Sequence, residues 1–581
     1  MQTTTLPPSR RKRRGSWGRM LWLLFFMGLL ILGGVAYLWY QENYGPVDTR
    51  ITPDYGAEKP IFHQGKLLEG GAVGEGHTLK LPLPLLQETV DPAIHYEESS
   101  KSIIITTEHH VVRLVTDQLS GWVNDQPVEL RFPVESIDDI IYVPIEPLTR
   151  FYGISLEETD SGVVILRKPG DIISRVEVPL PEGDEESNNV LLRNEPSIRS
   201  PIVAELAPGS QATVWGEEAG WYYVQHENGI VGYADKRGLR FIGSEAYVSE
   251  SVVEKAPYVP DRPMGERINL TWEQVYSRNP NPNNFDPMPG LNVVSPTWFH
   301  IIDGEGSLEN RADASYVEWA HKNGIQVWAL FSNSFDPDMT TEALSTYDRR
   351  MNMARQLISF AQLYKLDGIN VDFENVHLKD GPNLTQFIRE LAPLLHEAGL
   401  TLSMDVTFIS TNEMWSMFYD RKALGQVVDY MMIMAYDEHW ASSPKSGSVA
   451  SLPWVENGVK RIMNEANVPP SKIVLGVPFY TRVWTETTVD GKTKVSSAAV
   501  GMDKVKEIIR EKKLTPVLDE AAGQNYVEYQ ENGALKKIWI EDETSIRARI
   551  DVIERLGLAG LASWSRNFAS EEIWNVIHED L

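Results

Sequence analysis

One strictly alternating segment, residues 367–374, constrains this chain more than any other part of its sequence. It reads Asp-Gly-Ile-Asn-Val-Asp-Phe-Glu. Successive side chains of a β-strand point to opposite faces. The apolar face would hold Ile369, Val371 and Phe373, and the polar face Asn370, Asp372 and Glu374. Polar groups that point into a core cost free energy unless they are paired or hydrogen-bonded, so this stripe indicates a functional site.

Strand-like segments alternate with helical ones from Arg267 onward, a pattern typical of βα units around a parallel sheet. Eight such strands are predicted, over residues 268–272, 291–295, 326–331, 367–374, 400–406, 430–436, 473–478 and 557–564. Eight is the number of a closed α/β TIM barrel, whose catalytic groups lie at the C-terminal strand ends. Glu374, last in its row, is therefore the candidate for contact with substrate. A long stretch from Thr485 to about Lys537 predicts a small α+β insertion that forms one wall of a groove.

The fourth strand resembles the signature of glycoside hydrolase family 18, Asp-Gly-x-Asp-x-Asp-x-Glu, with Asn370 in place of the first inward Asp. The resemblance implies a retaining mechanism in which the 2-acetamido oxygen of the substrate attacks the anomeric carbon. It implies that Glu374 is the general acid and then the general base. Asp372 would orient the acetamido group and stabilise the positive charge of the intermediate. A surface strand with solvated acids is the alternative.

The ends of strands six and eight carry two further elements that resemble the family. Met434-Ala435-Tyr436-Asp437 is similar to its Met-x-Tyr-Asp element, which implies that Tyr436 positions the acetamido oxygen and Asp437 contacts substrate. Trp564 is where the family places a tryptophan beneath the reacting sugar, and an indole face can stack on a pyranose. A core tyrosine with a capping aspartate, and a plain core tryptophan, are the alternatives.

Other polar and aromatic residues near strand ends are weaker candidates. Asp405 points with Ser403 and either joins the inner polar network and binds substrate or is a structural buried carboxylate. Trp298 is expected just beyond the second strand, where it would line the groove and bind substrate. The same groove position is considered for Asn333, Tyr480 and Arg482.

Asn370 removes a carboxylate that would repel Asp372 or share a proton with it. We expect its amide to donate a hydrogen bond to Asp372 and to belong to the substrate-binding set. Asn at this position resembles a spore-cortex and cell-wall glucosaminidase subgroup, which shifts the expected substrate from chitin toward peptidoglycan.

The N-terminal region predicts a membrane anchor. Basic residues at Arg10–Arg14 and Arg19 precede a run from Met20 to Tyr40 without a charge, about 32 Å as a helix and long enough for the hydrocarbon core. Arginines on the N-terminal flank place that end in the cytoplasm and the rest of the chain outside. A cleaved signal peptide is the alternative.

Several smaller segments separate this anchor from the barrel. The predicted organisation is a basic tail (1–19), a transmembrane helix (20–40), a linker (41–60), a β-rich stalk (61–180), a small barrel (186–243), a linker (244–264) and the catalytic barrel (265–581). The stalk resembles the N-terminal domain of copper amine oxidases, without implying copper or oxidase chemistry. The small barrel resembles a bacterial Src-homology-3-like domain, which either contacts peptidoglycan or only fills its own core with its aromatics.

Composition narrows the remaining choices. The chain has no cysteine, which excludes disulfides and thiolate sites, and its 12 histidines include no His-Glu-x-x-His, so we expect no metal and no cofactor. A net charge of −27 over 581 residues makes nucleic acid an improbable partner. The sequence predicts a membrane-anchored β-N-acetylglucosaminidase of the bacterial envelope that acts on peptidoglycan or a chitin-like glycan. A chitinase and a non-catalytic glycan-binding protein are the alternatives.

Overall fold

The computed structural model describes residues 17–180, 189–249, 258–261, 263, 267–489 and 492–581. The basic cluster Arg10–Arg14, residues 181–188 and part of the predicted linker 244–264 lie outside these residues, as does the side chain of Arg19. The chain divides into two compact units, one of Met1–Pro92 with Glu135–Val253 and one of Ala93–Val134 with Glu254–Leu581.

The second unit contains a closed barrel of eight parallel strands. In chain order these strands are Ile268–Glu273, Val293–Ile301, Gln326–Ser332, Gly368–Asp372, Thr401–Val406, Tyr430–Met434, Ile473–Pro478 and Gly560–Trp564. The first strand pairs with both the second and the eighth, which closes the sheet. A short strand, Leu308–Asn310, pairs antiparallel with the end of the second strand. All eight predicted strands are confirmed, and the TIM barrel with them.

The alternation of the fourth strand sorts its side chains as predicted. Ile369, Val371 and Phe373 belong to the apolar layer between the strands and the surrounding helices. Asn370 pairs in register with Ser403 of the fifth strand, so the two strands contribute polar residues to the same inner face. The inner core below them is apolar, with Ile268, Leu270, Trp272, Val293, Trp328, Leu330, Met432, Val474 and Ala562.

Helices surround the barrel and begin and end at recognisable caps. They are Ala314–Lys322, Pro337–Leu344, Tyr347–Tyr364, Gly381–Glu397, Arg421–Val427, Leu452–Glu465, Glu543–Leu556 and Glu571–Asp580. Asp313 and Asp336 accept backbone N–H groups at two N-termini, which satisfies donors that have no partner within the helix. Gly557 ends the Glu543–Leu556 helix at a φ of 66°, a conformation that suits glycine.

The predicted insertion between strands seven and eight is a small α+β layer. Its strands are Tyr480–Val489, Lys492–Gly501, Val517–Asp519, Gln524–Glu531 and Ala534–Trp539, and its helix is Met502–Lys512. It begins at Tyr480, a few residues before the predicted start, because the chain passes directly from the seventh barrel strand into the insertion.

A five-stranded antiparallel sheet from residues 93–134 groups with the barrel. Its strands are His95–Glu97, Ser102–Thr106, Val111–Val115, Ser120–Val123 and Gln126–Glu129. Ile104 and Val111 belong to the same apolar cluster as the barrel helices. This part of the predicted stalk (61–180) therefore clusters with the barrel unit, whereas the rest of it lies in the other unit.

The first unit begins with the helix Trp17–Tyr44, whose span Met20–Tyr44 is long and apolar enough to cross a membrane. Two small sheets follow, one of Pro60–His63, Lys66–Gly71, Ser155–Glu158 and Val164–Arg167 and one of Lys80–Pro82, Glu135–Ile137 and Ile140–Pro144. The helices Leu83–Thr89 and Ile145–Tyr152 accompany them. A seven-stranded sheet completes the unit with Ile172–Glu177, Val190–Arg193, Ile202–Leu206, Gln211–Glu218, Trp221–His226, Val231–Asp235 and Arg240–Ala246.

Candidate active site

A cavity of about 500 Å³ opens at the C-terminal ends of the barrel strands. Several residues that the sequence proposed for the site line it, among them Asp372, Glu374, Asp405, Tyr436, Asp437 and Trp564. They come from strands four, five, six and eight, which lie far apart in sequence. The closed barrel thus brings together groups that the sequence could only nominate singly.

Two buried side chains fix the backbone around Glu374. Asn333, at the end of the third strand, donates from Nδ2 to the Glu374 carbonyl oxygen at 2.8 Å and accepts from the Glu374 N–H at 3.1 Å. The Tyr419 hydroxyl donates to the carbonyl oxygen of Phe373 at 2.8 Å. Asn333 is fully buried. Asn333 was expected to line the groove. It instead forms hydrogen bonds to the backbone of Glu374.

The carboxyl groups of the cavity are buried and lie close to other acidic groups. Burial raises the pKa of Asp372 to about 7. Burial, together with the charges of Asp372 and Asp437, raises the pKa of Glu374 well above its usual range. Burial and then the charge of Asp372 raise the pKa of Asp405 in the same direction. A carboxyl group that stays protonated near neutral pH can act as a general acid.

Asn370 lies behind this cavity, fully buried and outside its lining. Its Oδ1 accepts from the Trp272 indole N–H at 2.9 Å and from the Ser295 hydroxyl at 3.0 Å. Its Nδ2 donates to Asp405 Oδ1 at 2.8 Å. The expected hydrogen bond to Asp372 and the expected contact with substrate are therefore wrong. The amide faces across to the fifth strand, because its oxygen is already taken by two donors from strands one and two.

One carboxylate, Asp437, joins the end of strand six to the first strand of the insertion. Asp437 Oδ1 accepts from the Tyr480 hydroxyl at 2.6 Å and from Arg482 Nη2 at 3.1 Å. Tyr436 packs edge-on against Tyr480, with ring centroids 6.3 Å apart. Burial raises the pKa of Tyr436 well above its usual range, so its hydroxyl remains a neutral donor. Tyr480 lines the cavity as expected, whereas Arg482 lies behind it and holds Asp437.

Trp564 also forms part of the cavity wall. Its ring lies 5.9 Å from that of Trp272, and the peptide bond that follows it is cis. Trp272 closes the inner core of the barrel beneath it. A half-exposed indole above a packed layer offers an apolar surface to a ligand in the cavity.

Trp298 does not line the cavity, and its predicted role in binding is wrong. The second strand runs to Ile301, so residue 298 lies inside it rather than beyond its end. The ring is fully buried against Tyr316, with centroids 5.7 Å apart, and its N–H donates to Asn279 Oδ1 at 2.6 Å. A register shift between Thr297 and Phe299 accompanies this outward orientation.

The sequence reasoning missed part of the cavity wall near strands one to three. Tyr276 and Phe335 line the cavity with exposed rings, 75% and 46% exposed respectively. His300 and Arg311 also line it. Tyr276 and Phe335 each follow the end of a barrel strand, so the strand-end rule that nominated Trp298 would also have found them.

Comparison with known proteins agrees with this geometry. Residues 296–569 match the family model of glycosyl hydrolases family 18. The barrel is a glycoside hydrolase family 18 domain. Residues 188–240 match the bacterial SH3 domain model, which confirms the predicted Src-homology-3-like domain. The resemblance of the stalk to copper amine oxidases stays a prediction.

Two relatives show how far the likeness extends. An uncharacterized glycosylase, YvbX of Bacillus subtilis, is 25% identical over 301 residues, which are 50% of this chain and 84% of that protein. A cortical fragment-lytic enzyme of Bacillus anthracis is 27% identical over 258 residues, 43% of this chain and 57% of that protein. The chain thus has relatives named as a glycosylase and as a cortical fragment-lytic enzyme.

Solved structures resemble about half of the chain. The spore cortex-lytic enzyme SleL of Bacillus megaterium is 20% identical, with 54% of this chain and 74% of that chain covered and a TM-score of 0.49. A chitinase from Chromobacterium violaceum is 23% identical, with 54% and 98% covered and a TM-score of 0.48.

Proposed function

We propose that this protein is a retaining β-N-acetylglucosaminidase that uses the acetamido group of its substrate as the nucleophile. The observation that carries the proposal is the pairing of Glu374 with Asp372 in a cavity whose wall also holds Tyr436 and Trp564. In this proposal the protonated carboxyl of Glu374 reaches the glycosidic oxygen of a glycan in the cavity, and Asp372 shares its face of the strand.

The reaction assigns a separate task to each group. Glu374 gives its proton to the leaving oxygen while the acetamido oxygen bonds to the anomeric carbon and the glycosidic bond breaks. Asp372 stabilises the positive charge of the cyclic intermediate, and Tyr436 holds the acetamido oxygen. Glu374 then takes a proton from water, whose oxygen bonds to the anomeric carbon as the ring of the intermediate opens. The acetamido oxygen attacks from the face opposite the leaving group, and water attacks from the face that the leaving group has vacated, so two inversions retain the β configuration.

The proposed substrate is the β-1,4-linked, N-acetylglucosamine-containing glycan of peptidoglycan. The names of the cortical fragment-lytic relatives support it, and so does the bacterial SH3 domain within the same chain. Chitin contains the same sugar and bond, so a chitinase is the second candidate. We place Asp437 and Trp564 in substrate binding for either glycan.

We propose further that the helix Trp17–Tyr44 anchors the protein with its N-terminus in the cytoplasm and the barrel outside. The helix spans about 42 Å, and its apolar stretch has a mean hydropathy of 2.3. Protease added to intact cells is expected to cleave residues beyond Tyr44. A mature N-terminus beyond Tyr40 would instead show a cleaved signal peptide.

Digestion of peptidoglycan by the full-length protein in detergent tests the proposed reaction. The expected products end in reducing N-acetylglucosamine, and NMR should show the β anomer first. Glu413→Gln, an exposed change of the same kind, serves as the control for Glu374→Gln. An α anomer as the first product would contradict the mechanism, and cleavage of chitin oligomers with no action on peptidoglycan would make the chitinase correct. Tight glycan binding by a wild-type protein that cleaves neither glycan would point to a non-catalytic role.

A further inference from the structure

Asp405 is a buried carboxyl group of the cavity to which the proposed reaction gives no task. It is 2% exposed and lines the cavity. The register of strands four and five pairs Val371 with Met404, so one residue further along Asp405 comes beside Asp372. Two neighbouring carboxyl groups in a dry site cannot both ionise without strong repulsion.

The hydrogen bonds of Asn370 show which oxygen of Asp405 accepts from the amide. An indole N–H can only donate, so the atom of Asn370 that faces Trp272 at 2.9 Å must be its oxygen. The amide nitrogen therefore faces Asp405 and donates to Oδ1 at 2.8 Å. Because Oδ1 is an acceptor, a proton on Asp405 belongs on Oδ2.

Asp372 supplies the acceptor for such a proton. Its Oδ1 is buried and has no hydrogen-bond partner among the described residues. An unpartnered buried carboxylate oxygen costs free energy, and a single O–H donor would satisfy it. The other titratable groups that act on Asp405, or on which Asp405 acts, are Glu374, Tyr419 and Tyr436. Carboxyl and phenol groups carry no positive charge. None of these three groups would therefore hold Asp405 as an anion.

We propose that Asp405 is held as a neutral carboxylic acid whose Oδ2–H donates to Asp372, so that Asp372 carries the negative charge that faces the substrate. Asp405 is then a positioning residue that acts through Asp372. Asp405 keeps its proton through both displacements. It therefore neither gives a proton to the substrate nor takes one from it. The catalytic part of this inference rests on the proposed function, whereas the protonation state of Asp405 does not.

Infrared spectroscopy of the full-length protein in detergent tests the protonation state without any substrate. The difference spectrum between wild type and Asp405→Asn at neutral pH should contain the C=O stretch of a protonated carboxylic acid that the variant has lost. Loss of a carboxylate band instead would show that Asp405 is an anion and would overturn the inference. The matched control is Ser403→Ala, which removes a buried hydroxyl from the same face of the same strand and should leave the acid band in place.

Turnover of the same variants tests the effect on Asp372. Asp405→Ala removes the donor, so kcat should fall roughly 10- to 100-fold, the range for a hydrogen bond to a charged group. Asp405→Asn keeps an acceptor for Asn370 and turns an N–H donor toward Asp372, so it should recover most of that loss. If Asp405→Asn is as slow as Asp405→Ala, a neutral donor is not what the site needs and the inference fails. If wild type cleaves no glycan, the proposed function fails while the infrared result still stands.

Discussion

Among the buried charges of the barrel unit, two clusters differ in whether a cation is present. On the outer side, Arg350 lies between Glu97 and Glu390, at 3.0 Å and 2.8 Å, with all three side chains buried. In the cavity, Asp372, Glu374 and Asp405 face one another, and the charges that act on them are negative.

The difference shows what each cluster is for. Arg350 donates to Glu390 twice, through Nε and Nη2, so the burial of each charge is offset by a partner of opposite sign. It joins the sheet that carries Glu97 to two barrel helices. The carboxyl groups of the cavity lack such a partner and respond with raised pKa values, as catalytic acids do. Buried charges that have a partner of opposite sign thus indicate a structural role here. Buried acids without such a partner indicate a catalytic role.

The largest expected effect comes from removing the acid group of Glu374, which lies among the cavity carboxyl groups that have no cation beside them. Glu374→Gln cannot protonate the leaving oxygen, so kcat/KM should fall about 10²–10⁴-fold, while the thermal midpoint stays equal or rises because a buried acid has become neutral. Steady-state kinetics and thermal unfolding of the same sample check both. Full activity in this variant would show that the active site lies elsewhere.

A change in the cluster of Arg350, Glu97 and Glu390 should lower the stability of the folded protein. Arg350→Met leaves two buried glutamates without their cation, and breaking a buried pair costs about 3–5 kcal/mol. Denaturant unfolding of the barrel unit measures the loss. The control is Arg555→Met, which breaks the exposed pair with Glu456 and should cost about 1 kcal/mol or less. Equal losses in the two variants would remove the distinction between the clusters.

Asp372→Asn should trade activity for stability. Because the folded-state pKa of Asp372 is raised to about 7, from about 3.9 in an unfolded chain, the folded protein binds its proton more tightly. Wild-type stability therefore falls as pH rises between about 4 and 7, and the variant escapes that loss. The free energy of unfolding of Asp372→Asn should exceed that of wild type by an amount that grows across this pH window. The difference should reach a few kcal/mol at most, since one pKa unit is about 1.4 kcal/mol. Unfolding at several pH values measures this, and a constant difference between the two proteins would argue against the raised pKa.

The smallest expected effect is a shift in the pH profile. The negative charge of Asp437 contributes to the raised pKa of Glu374. Asp437→Asn keeps the acceptor for Tyr480 and removes the charge, so the alkaline limb of kcat/KM should move to lower pH. Asp503→Asn, an exposed change on the insertion helix, should leave the limb in place. A shift to higher pH would contradict the electrostatic account.

Much of the fold could be predicted because its signals are local. The period-two alternation of residues 367–374 assigned each side chain to the correct face, and the eight strand segments were all found. Trp298 was misplaced because the predicted second strand ended at Ser295, whereas the real strand continues to Ile301. A few residues of strand length decide whether a side chain lines a groove or fills a core.

The sequence by itself determined the barrel, the acidic row on its fourth strand and the family to which the domain belongs. The tertiary structure alone decided that Asn370 donates to Asp405, that Asn333 holds Glu374, and that residues 93–134 group with the barrel. The physical reason is that strand periodicity depends on neighbours in sequence. The partner of a buried polar group depends instead on the register between strands that are distant in sequence, and only the closed barrel fixes that register.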